Sequence, residues 1–153
     1  MRIAGGTEMV RGFTLIELMV VLTIISIGAL LAAPSYAEFL QREQHLKTVN
    51  QLQALYRYSR SEAVKRDESI NLNLTNGVLK ILTVDNQVLR QFTVPEDSRR
   101  VQVTGITNLT LSNTGNPGLG QQWQVNSLNA PFNKNCITIF VSGQVRVTPN
   151  ACV

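Results

Sequence analysis

An uncharged apolar segment near the N-terminus constrains this chain more than any other feature. Residues 18–33 read LMVVLTIISIGALLAA, in which thirteen of sixteen are Ala, Val, Ile, Leu or Met and none is ionisable. With apolar flanks from residue 13 to residue 36, the segment reaches the roughly 20 residues that a helix needs to span a bilayer. It also explains the charged fraction of 16%, against about 25% in average soluble domains. We therefore predict a membrane helix followed by a single folded domain.

Glu17 decides between two interpretations of this segment. A cleaved secretory signal would combine the upstream basic residues, the apolar run and a small-residue cleavage site at residues 35–37. A carboxylate inside the apolar stretch, however, costs about 2.5–3.5 kcal/mol at the bilayer centre, which is tolerated when the charge has a dedicated partner. Cleavage after Gly12 would free an α-amine on Phe13, just upstream of Glu17. Opposite charges at the start of an apolar helix favour pairing between neighbouring copies in an assembly.

The motif at residues 11–17, RGFTLIE, together with the apolar run after it, resembles the class III leader of type IV pilins and type II secretion pseudopilins. The resemblance implies that a prepilin peptidase cleaves between Gly12 and Phe13 and methylates the new N-terminus of Phe13. It also implies that Glu17 is the assembly residue and that the N-terminal helix contacts other major and minor pilins. The subunit would cross the bacterial inner membrane once, with its C-terminal domain in the periplasm, and then enter a filament at the cell surface.

A helical pattern continues past the apolar run to about Arg66, which gives a helix of about 80 Å from Phe13 at 1.5 Å per residue. Apolar residues recur on one face, at Phe39, Leu46, Val49, Leu52, Tyr56 and Ala63. Charged residues are assigned to the solvent face, at Arg42, Glu43, Lys47, Arg57, Arg60 and Glu62. The predicted organisation is a cleaved leader over 1–12, a transmembrane and filament-core helix over 13–36, its amphipathic continuation over 37–66 and a periplasmic β-rich domain over 67–153.

After Asp67 the apolar period changes to two, which is typical of strands. Asn76-Gly77 is a strong type I′ hairpin signal between two such runs. The predicted strands lie at residues 70–74, 78–84, 88–94, 101–104, 109–112, 122–125, 136–141 and 145–148, and the glycine-rich loop 113–120 is predicted to be exposed. The fold class is α+β, a pilin-like long N-terminal helix packed on an antiparallel β-sheet domain.

Catalytic patterns are missing from the sequence. The single histidine, His45, lies on the helix and is predicted to be a surface residue, while Trp123 is predicted to lie in the core. The acidic pair Glu96-Asp97 follows Pro95 and is typical of a solvated turn. We therefore predict no enzymatic activity, no metal site and no cofactor.

The two cysteines, Cys136 and Cys152, both lie in the last eighteen residues. A pilin-type leader implies export to an oxidising compartment, where a disulfide persists, as C-terminal disulfides do in many pilins. A Cys136–Cys152 bridge would stabilise the fold by roughly 3 kcal/mol on a chain-entropy argument. Two free thiols or a metal pair are the alternative.

Two further segments resemble the FimT/GspH family of minor pilins and pseudopilins, with the second closer to FimT. Residues 54–66, ALYRYSRSEAVKR, are similar to the end of the first helix in that family. Residues 136–147, CITIFVSGQVRV, are similar to the strand and Gly-Arg-x-Arg turn that is implicated in DNA binding in competence-associated members. Gly143 and Arg146 fit the turn, whereas Gln144 stands where the first Arg belongs. One phosphate contact fewer predicts weaker binding, with a salt dependence flatter by about one unit of slope.

The formal charge of +4 arises entirely from the acid-free stretch beyond residue 97. The candidate residues for binding double-stranded DNA are Arg146, Gln144, Gly143, Lys134, Arg99 and Arg100. An ordinary basic surface is the alternative. The sequence thus predicts a type IV minor pilin that supports pilus assembly, with DNA uptake in natural transformation as a candidate role. The alternative function is that of a type II secretion pseudopilin in protein export.

Overall fold

The structure, a computed structural model, describes residues 13–94, 101–127 and 134–152, apart from the side chains of residues 31–34. These ranges contain one long helix, α1, and eight strands. Their bounds are α1 Leu15–Arg66, β1 Ile70–Thr75, β2 Val78–Leu82, β3 Val88–Thr93, β4 Val101–Thr104, β5 Leu109–Leu111, β6 Gln121–Ser127, β7 Lys134–Ile139 and β8 Val145–Thr148. The chain divides into two compact units, Met1–Ala37 and Glu38–Val153.

The N-terminal part of α1 presents apolar side chains on all sides. Every Leu, Ile, Val and Met from Leu15 to Leu30 is exposed. The hydroxyls of Thr23 and Ser26 donate to carbonyl oxygens of the same helix at 2.7 Å, so they need no outside partner. Within the part of the chain that the structure describes, no uninterrupted helical segment has both the length and the hydropathy needed to cross a membrane. The two segments of α1, Leu15–Leu30 and Ser35–Arg66, have them only when they are taken together as a bent pair.

The second part of α1 buries one face, and that face differs from the predicted one. Four of the six predicted positions are buried, namely Val49, Leu52, Tyr56 and Ala63. Phe39 and Leu46 are exposed instead. The buried line runs through positions 45, 48, 49, 52, 55, 56, 59, 62 and 63, at steps of three and four residues. Leu46 lies beside this line, whereas Glu62 lies on it and is only 8% exposed, so its assignment to the solvent face was wrong.

His45 is also buried, at 2% exposure, and its assignment to the surface was wrong. Its Nε2 lies 2.6 Å from Oδ1 of Asn135 on β7. Because that amide oxygen only accepts, Nε2 carries the proton. The other ring nitrogen, Nδ1, has no hydrogen-bond partner among the described residues. A polar side chain is tolerated on the buried face here because the sheet supplies an acceptor.

The C-terminal end of α1 is closed by a left-handed residue. Asp67 has φ 54°, and the Glu68 amide donates to the Ala63 carbonyl at 3.3 Å, the bond of a Schellman motif. Lys65 and Arg66 place positive charge in the last turn, where the helix dipole favours it. The helix therefore ends where the sequence predicts.

The strands form an antiparallel β-sheet domain, as predicted, which is divided into two four-stranded sheets. The first has the order β3-β2-β1-β5 and the second β4-β6-β7-β8. The β1–β2 hairpin turns at Asn76 and Gly77, whose φ values of 51° and 72° are both positive, as a type I′ turn requires. Strand β7 begins two residues before the predicted start, and β6 extends beyond its predicted bounds at both ends.

A single core joins the buried face of α1 to both sheets. Tyr56 of α1 meets Trp123 of β6 edge to face, with ring centroids 6.1 Å apart. Trp123 is fully buried, which confirms its predicted place in the core. The Cys136–Cys152 disulfide is present as predicted, and the Cys152 amide donates to Gln124 Oε1 of β6 at 2.6 Å. The C-terminal tail is thus fixed to the second sheet.

Candidate functional site

The β7–β8 turn, residues 140–144, carries two of the six predicted binding residues, Gly143 and Gln144, and a third, Arg146, follows it on β8. The Gly143 amide donates to the Phe140 carbonyl at 2.8 Å, and the Phe140 amide donates to the Gln144 carbonyl at 2.9 Å. Gly143 has φ 78°, so the geometry is a type I turn followed by a left-handed residue. Glycine is the residue that adopts this conformation without steric cost.

Two side chains of α1 donate hydrogen bonds to the backbone of this turn. The Tyr56 hydroxyl and Arg60 Nη1 both donate to the Gly143 carbonyl oxygen, each at 3.0 Å. Arg60 Nη2 lies 3.5 Å from the Ser142 carbonyl oxygen. Burial raises the pKa of the Tyr56 hydroxyl, and the positive charge of Arg60 opposes that rise. The guanidinium of half-buried Arg60 therefore binds the backbone of the turn.

A second glycine turn packs against the same arginine. Residues 112–116 repeat the hydrogen bonds of the β7–β8 turn, with Gly115 at φ 76°. A Cβ on Gly115 would lie 2.7 Å from Arg60 Cγ, and one on Gly143 would lie 2.8 Å from Arg60 Cζ. The Arg60 side chain thus runs between a turn from each sheet. Gly115 and Pro117 are buried, so the prediction that loop 113–120 is exposed was wrong at these two positions.

The arginine groove is the surface between the end of α1 and the β7–β8 turn. It is lined by Tyr56, Arg57, Arg60, Phe140, Gly143, Gln144, Val145 and Arg146. Among the described residues, no carboxylate lines it, and the ion pairs all involve Glu62 or Glu68 rather than these arginines. The Arg146 guanidinium lies 5.7 Å from the centre of the Phe140 ring, a cation–π contact. Such a groove attracts anions with planar oxygen acceptors.

The predicted DNA-binding residues are brought together only in part. Gly143, Gln144 and Arg146 line the groove, but Gly143 is buried and contributes turn geometry rather than a binding group. Lys134 lies at the opposite end of β7, about 17 Å from the turn at about 3.4 Å per residue. Arg99 and Arg100 lie outside the described residues.

Arg57 and Arg60 were missed as site residues because they were assigned to the solvent face of α1. A signal for them exists in the sequence. Tyr56 is predicted to be buried, Arg57 is its neighbour, and Arg60 follows one helical turn later, so all three lie on adjoining parts of the surface. What the sequence does not contain is the position of the β7–β8 turn over that surface.

The residues predicted for processing and assembly, Gly12, Phe13 and Glu17, form a separate candidate site. Gly12 lies outside the described residues, and Phe13 is 80% exposed. The Glu17 amide donates to Thr14 Oγ1 at 3.3 Å, so Thr14 caps the helix and Glu17 lies in its first turn. A carboxylate there is favoured by the helix dipole. Among the described residues, no cluster of His, Cys, Asp or Glu is suited to bind a metal ion.

Two family models match the chain. Residues 9–33 match the prokaryotic N-terminal methylation motif, and residues 48–148 match the type II transport protein GspH. The chain belongs to the GspH family. This membership confirms the predicted relation to minor pilins and pseudopilins, while the closer relation to the FimT side stays a prediction.

The folded unit of this GspH-family protein is similar to a solved minor pilin. The type IV minor pilin FimU of Pseudomonas aeruginosa PAO1 superposes with a TM-score of 0.64 at 17% identity, over 74% of this chain and 96% of FimU. This similarity confirms the pilin-like α+β fold.

Curated relatives match over a shorter stretch. The type IV major pilin protein PilA of Myxococcus xanthus is 39% identical over 67 residues, 44% of this chain and 30% of PilA. A fimbrial protein of P. aeruginosa is 38% identical over 61 residues, 40% of each chain. The chain thus spans only about a third of the length of these curated relatives.

Proposed function

We propose that this protein is a minor subunit of a type IV pilus, anchored in the inner membrane by residues 13–36 with its folded unit in the periplasm. The observation that carries the proposal is the methylation motif at residues 9–33 on a helix whose exposed surface from Leu15 to Leu30 is apolar except for Glu17 and two hydroxyls, those of Thr23 and Ser26, that bond to the helix itself. Such a surface needs either lipid or neighbouring helices around it. The fold shared with the minor pilin FimU supports the same function.

Assembly follows from the charges at the start of α1. Cleavage after Gly12 gives Phe13 an α-amine, and Glu17 of a neighbouring subunit is its partner. Both charges are costly to hold alone in an apolar medium, so their pairing favours a fixed register between adjacent subunits. Helix packing then replaces the lipid contacts of residues 15–30. A prepilin peptidase and an external assembly motor complete the process.

Mass spectrometry and a matched pair of variants test this function. The mature protein is expected to begin at methylated Phe13; a start at Glu38 would indicate a cleaved secretory signal instead. Glu17→Ala should remain in the membrane fraction but disappear from sheared pili. Glu38→Ala removes an exposed carboxylate of the same helix outside the motif and should enter pili normally. Equal amounts of both variants in pili would contradict the proposed role of Glu17.

The alternative is a pseudopilin of a type II secretion system, and the family name, type II transport protein GspH, favours it. Both kinds of subunit use the same leader and helix. A gene deletion separates them. Loss of twitching or transformation supports the pilus function, whereas loss of exoprotein secretion with normal piliation supports the pseudopilin.

A second candidate function is binding of double-stranded DNA for uptake. The observation that favours it is the arginine groove, in which three guanidinium groups meet without a lining carboxylate. Binding to phosphates releases counterions, so affinity should fall steeply as salt rises. The full chain in detergent micelles, titrated with a short duplex at several salt concentrations, tests this. Binding that is absent or indifferent to salt would reject this function.

A further inference from the structure

We propose that Arg57 of α1 and Arg146 of β8 act as a pair of phosphate-binding guanidinium groups, and that Arg60 only positions the turn between them. The inference deepens the DNA-binding candidate function and rests on it. The ligand is the phosphate backbone of duplex DNA, held from one side by the helix and from the other by the hairpin.

Arg60 is held against the turn by its own contacts. Its guanidinium is committed to the Gly143 and Ser142 carbonyl oxygens, and a Cβ on Gly143 would lie within 3.0 Å of three of its atoms. These hydrogen bonds use two of the five N–H donors of the guanidinium and orient it toward the backbone of the turn. Its contribution is to fix the distance between the helix and the hairpin.

Arg57 has the opposite environment. It is exposed, it has no ion-pair partner among the described residues, and it lines the arginine groove. It also lines a second groove along the end of α1, together with Arg60, Ser61, Val64, Lys65 and Thr114, again with no lining carboxylate. From Arg57 to Lys65 the helix rises about 12 Å at 1.5 Å per residue. A duplex strand carries a charge every 3.4 Å along its axis, so this length faces several phosphates.

Arg146 approaches from the hairpin side. Its guanidinium lies over the Phe140 ring, which restricts its orientation. Gln144, exposed and uncharged, lines the same groove. The helix thus supplies at Arg57 the positive charge that the hairpin lacks at Gln144. Because guanidinium groups bind phosphate oxygens bidentately, two of them in fixed positions form a specific clamp.

A series of variants that remove or relocate a positive charge tests the Arg57–Arg146 pair. Fluorescence anisotropy would measure binding of a labelled duplex to the full chain in detergent micelles across a salt series. Arg57→Gln and Arg146→Gln should each weaken binding about tenfold and flatten the salt slope by about one unit. The double variant Arg57→Gln with Gln144→Arg should recover most of the affinity, because it moves the charge within the same groove. Arg42→Gln, the same change on an exposed position of the same helix, should alter affinity less than twofold.

The outcomes distinguish the inference from the function on which it rests. If Arg57→Gln behaves like Arg42→Gln while Arg146→Gln is impaired, the pair is wrong and DNA binding stands. If the unmodified chain shows no salt-sensitive binding, both fall. Thermal unfolding separates the two helix arginines: Arg60→Gln should lower the melting temperature, whereas Arg57→Gln should leave it unchanged. A lowered melting temperature for Arg57→Gln with normal binding would assign Arg57 a structural role and overturn the proposal.

Discussion

The two parts of α1 have the same secondary structure and opposite surroundings. From Leu15 to Leu30 the apolar side chains are exposed on all sides, and the polar side chains other than Glu17, those of Thr23 and Ser26, donate to carbonyls of the same helix about one turn back. From His45 to Ala63 a narrow line of side chains is buried, and several of them are polar. The second part is buried by the chain's own sheets, whereas the methylation motif over the first part indicates lipid or neighbouring helices as its surroundings.

The largest expected difference concerns the same substitution in each part. Leu52 is fully buried and Leu22 is 54% exposed. Leu52→Ala should destabilise the folded unit by about 2–5 kcal/mol through lost burial and a residual cavity. Leu22→Ala should change its stability by less than about 0.5 kcal/mol. Denaturant unfolding of the full chain in micelles, followed by Trp123 fluorescence, measures both changes in stability. Equal losses of unfolding free energy in the two variants would contradict the difference between the two parts of α1.

A smaller difference is expected for polar groups. His45→Ala removes the hydrogen bond to Asn135 and leaves its amide oxygen without that donor, which should cost about 1–3 kcal/mol. Ser26→Ala removes a hydroxyl that bonds only to its own helix and should be nearly neutral. The same unfolding assay compares them. A neutral His45→Ala would show that the His45 contact contributes no net stability.

The smallest expected effect is a pH dependence of the unfolding free energy that arises from Glu62, on the buried line of α1. Arg66 Nε donates to Glu62 at 2.7 Å, and this hydrogen bond lowers the pKa of Glu62 below its ordinary value of 4.5. A lowered carboxyl pKa means that the unfolded chain takes up the proton first, so the stabilisation is present above about pH 4.5 and is lost as pH falls through the folded-state pKa.

Glu62→Gln should therefore reduce the acid dependence of the unfolding free energy between neutral pH and pH 3. Glu43→Gln, an exposed carboxylate without an ion pair among the described residues, is the matched control. An unchanged acid dependence in Glu62→Gln would show that the pair does not contribute.

Much of the fold is encoded locally and could be predicted. The end of α1 near Arg66, the type I′ turn at Asn76-Gly77 and the alternation of the strands depend on neighbours in sequence. The division into two sheets depends on which strands pair at long range, and β1 pairs with β5 across more than thirty residues of chain. No local periodicity contains that information.

The candidate site was less predictable than the fold. Gly143, Gln144 and Arg146 could be found because they lie within four residues of one another. Arg57 and Arg60 join them only when α1 packs under the hairpin, some eighty residues later in the chain. His45 was misassigned for a related reason, because its burial depends on a distant residue, Asn135, whose amide oxygen accepts a hydrogen bond from the ring.

The Cys136–Cys152 bridge has a mechanical consequence. Strand β8, Val145–Thr148, forms the free edge of the second sheet and lies wholly between the two cysteines. It is therefore part of a covalent ring that begins on its neighbour β7. In the proposed filament, a strand inside a closed ring could not be drawn out end first or exchanged with the same strand of an adjacent subunit. The edge that would otherwise be the easiest to peel is sealed by connectivity rather than by hydrogen bonds alone.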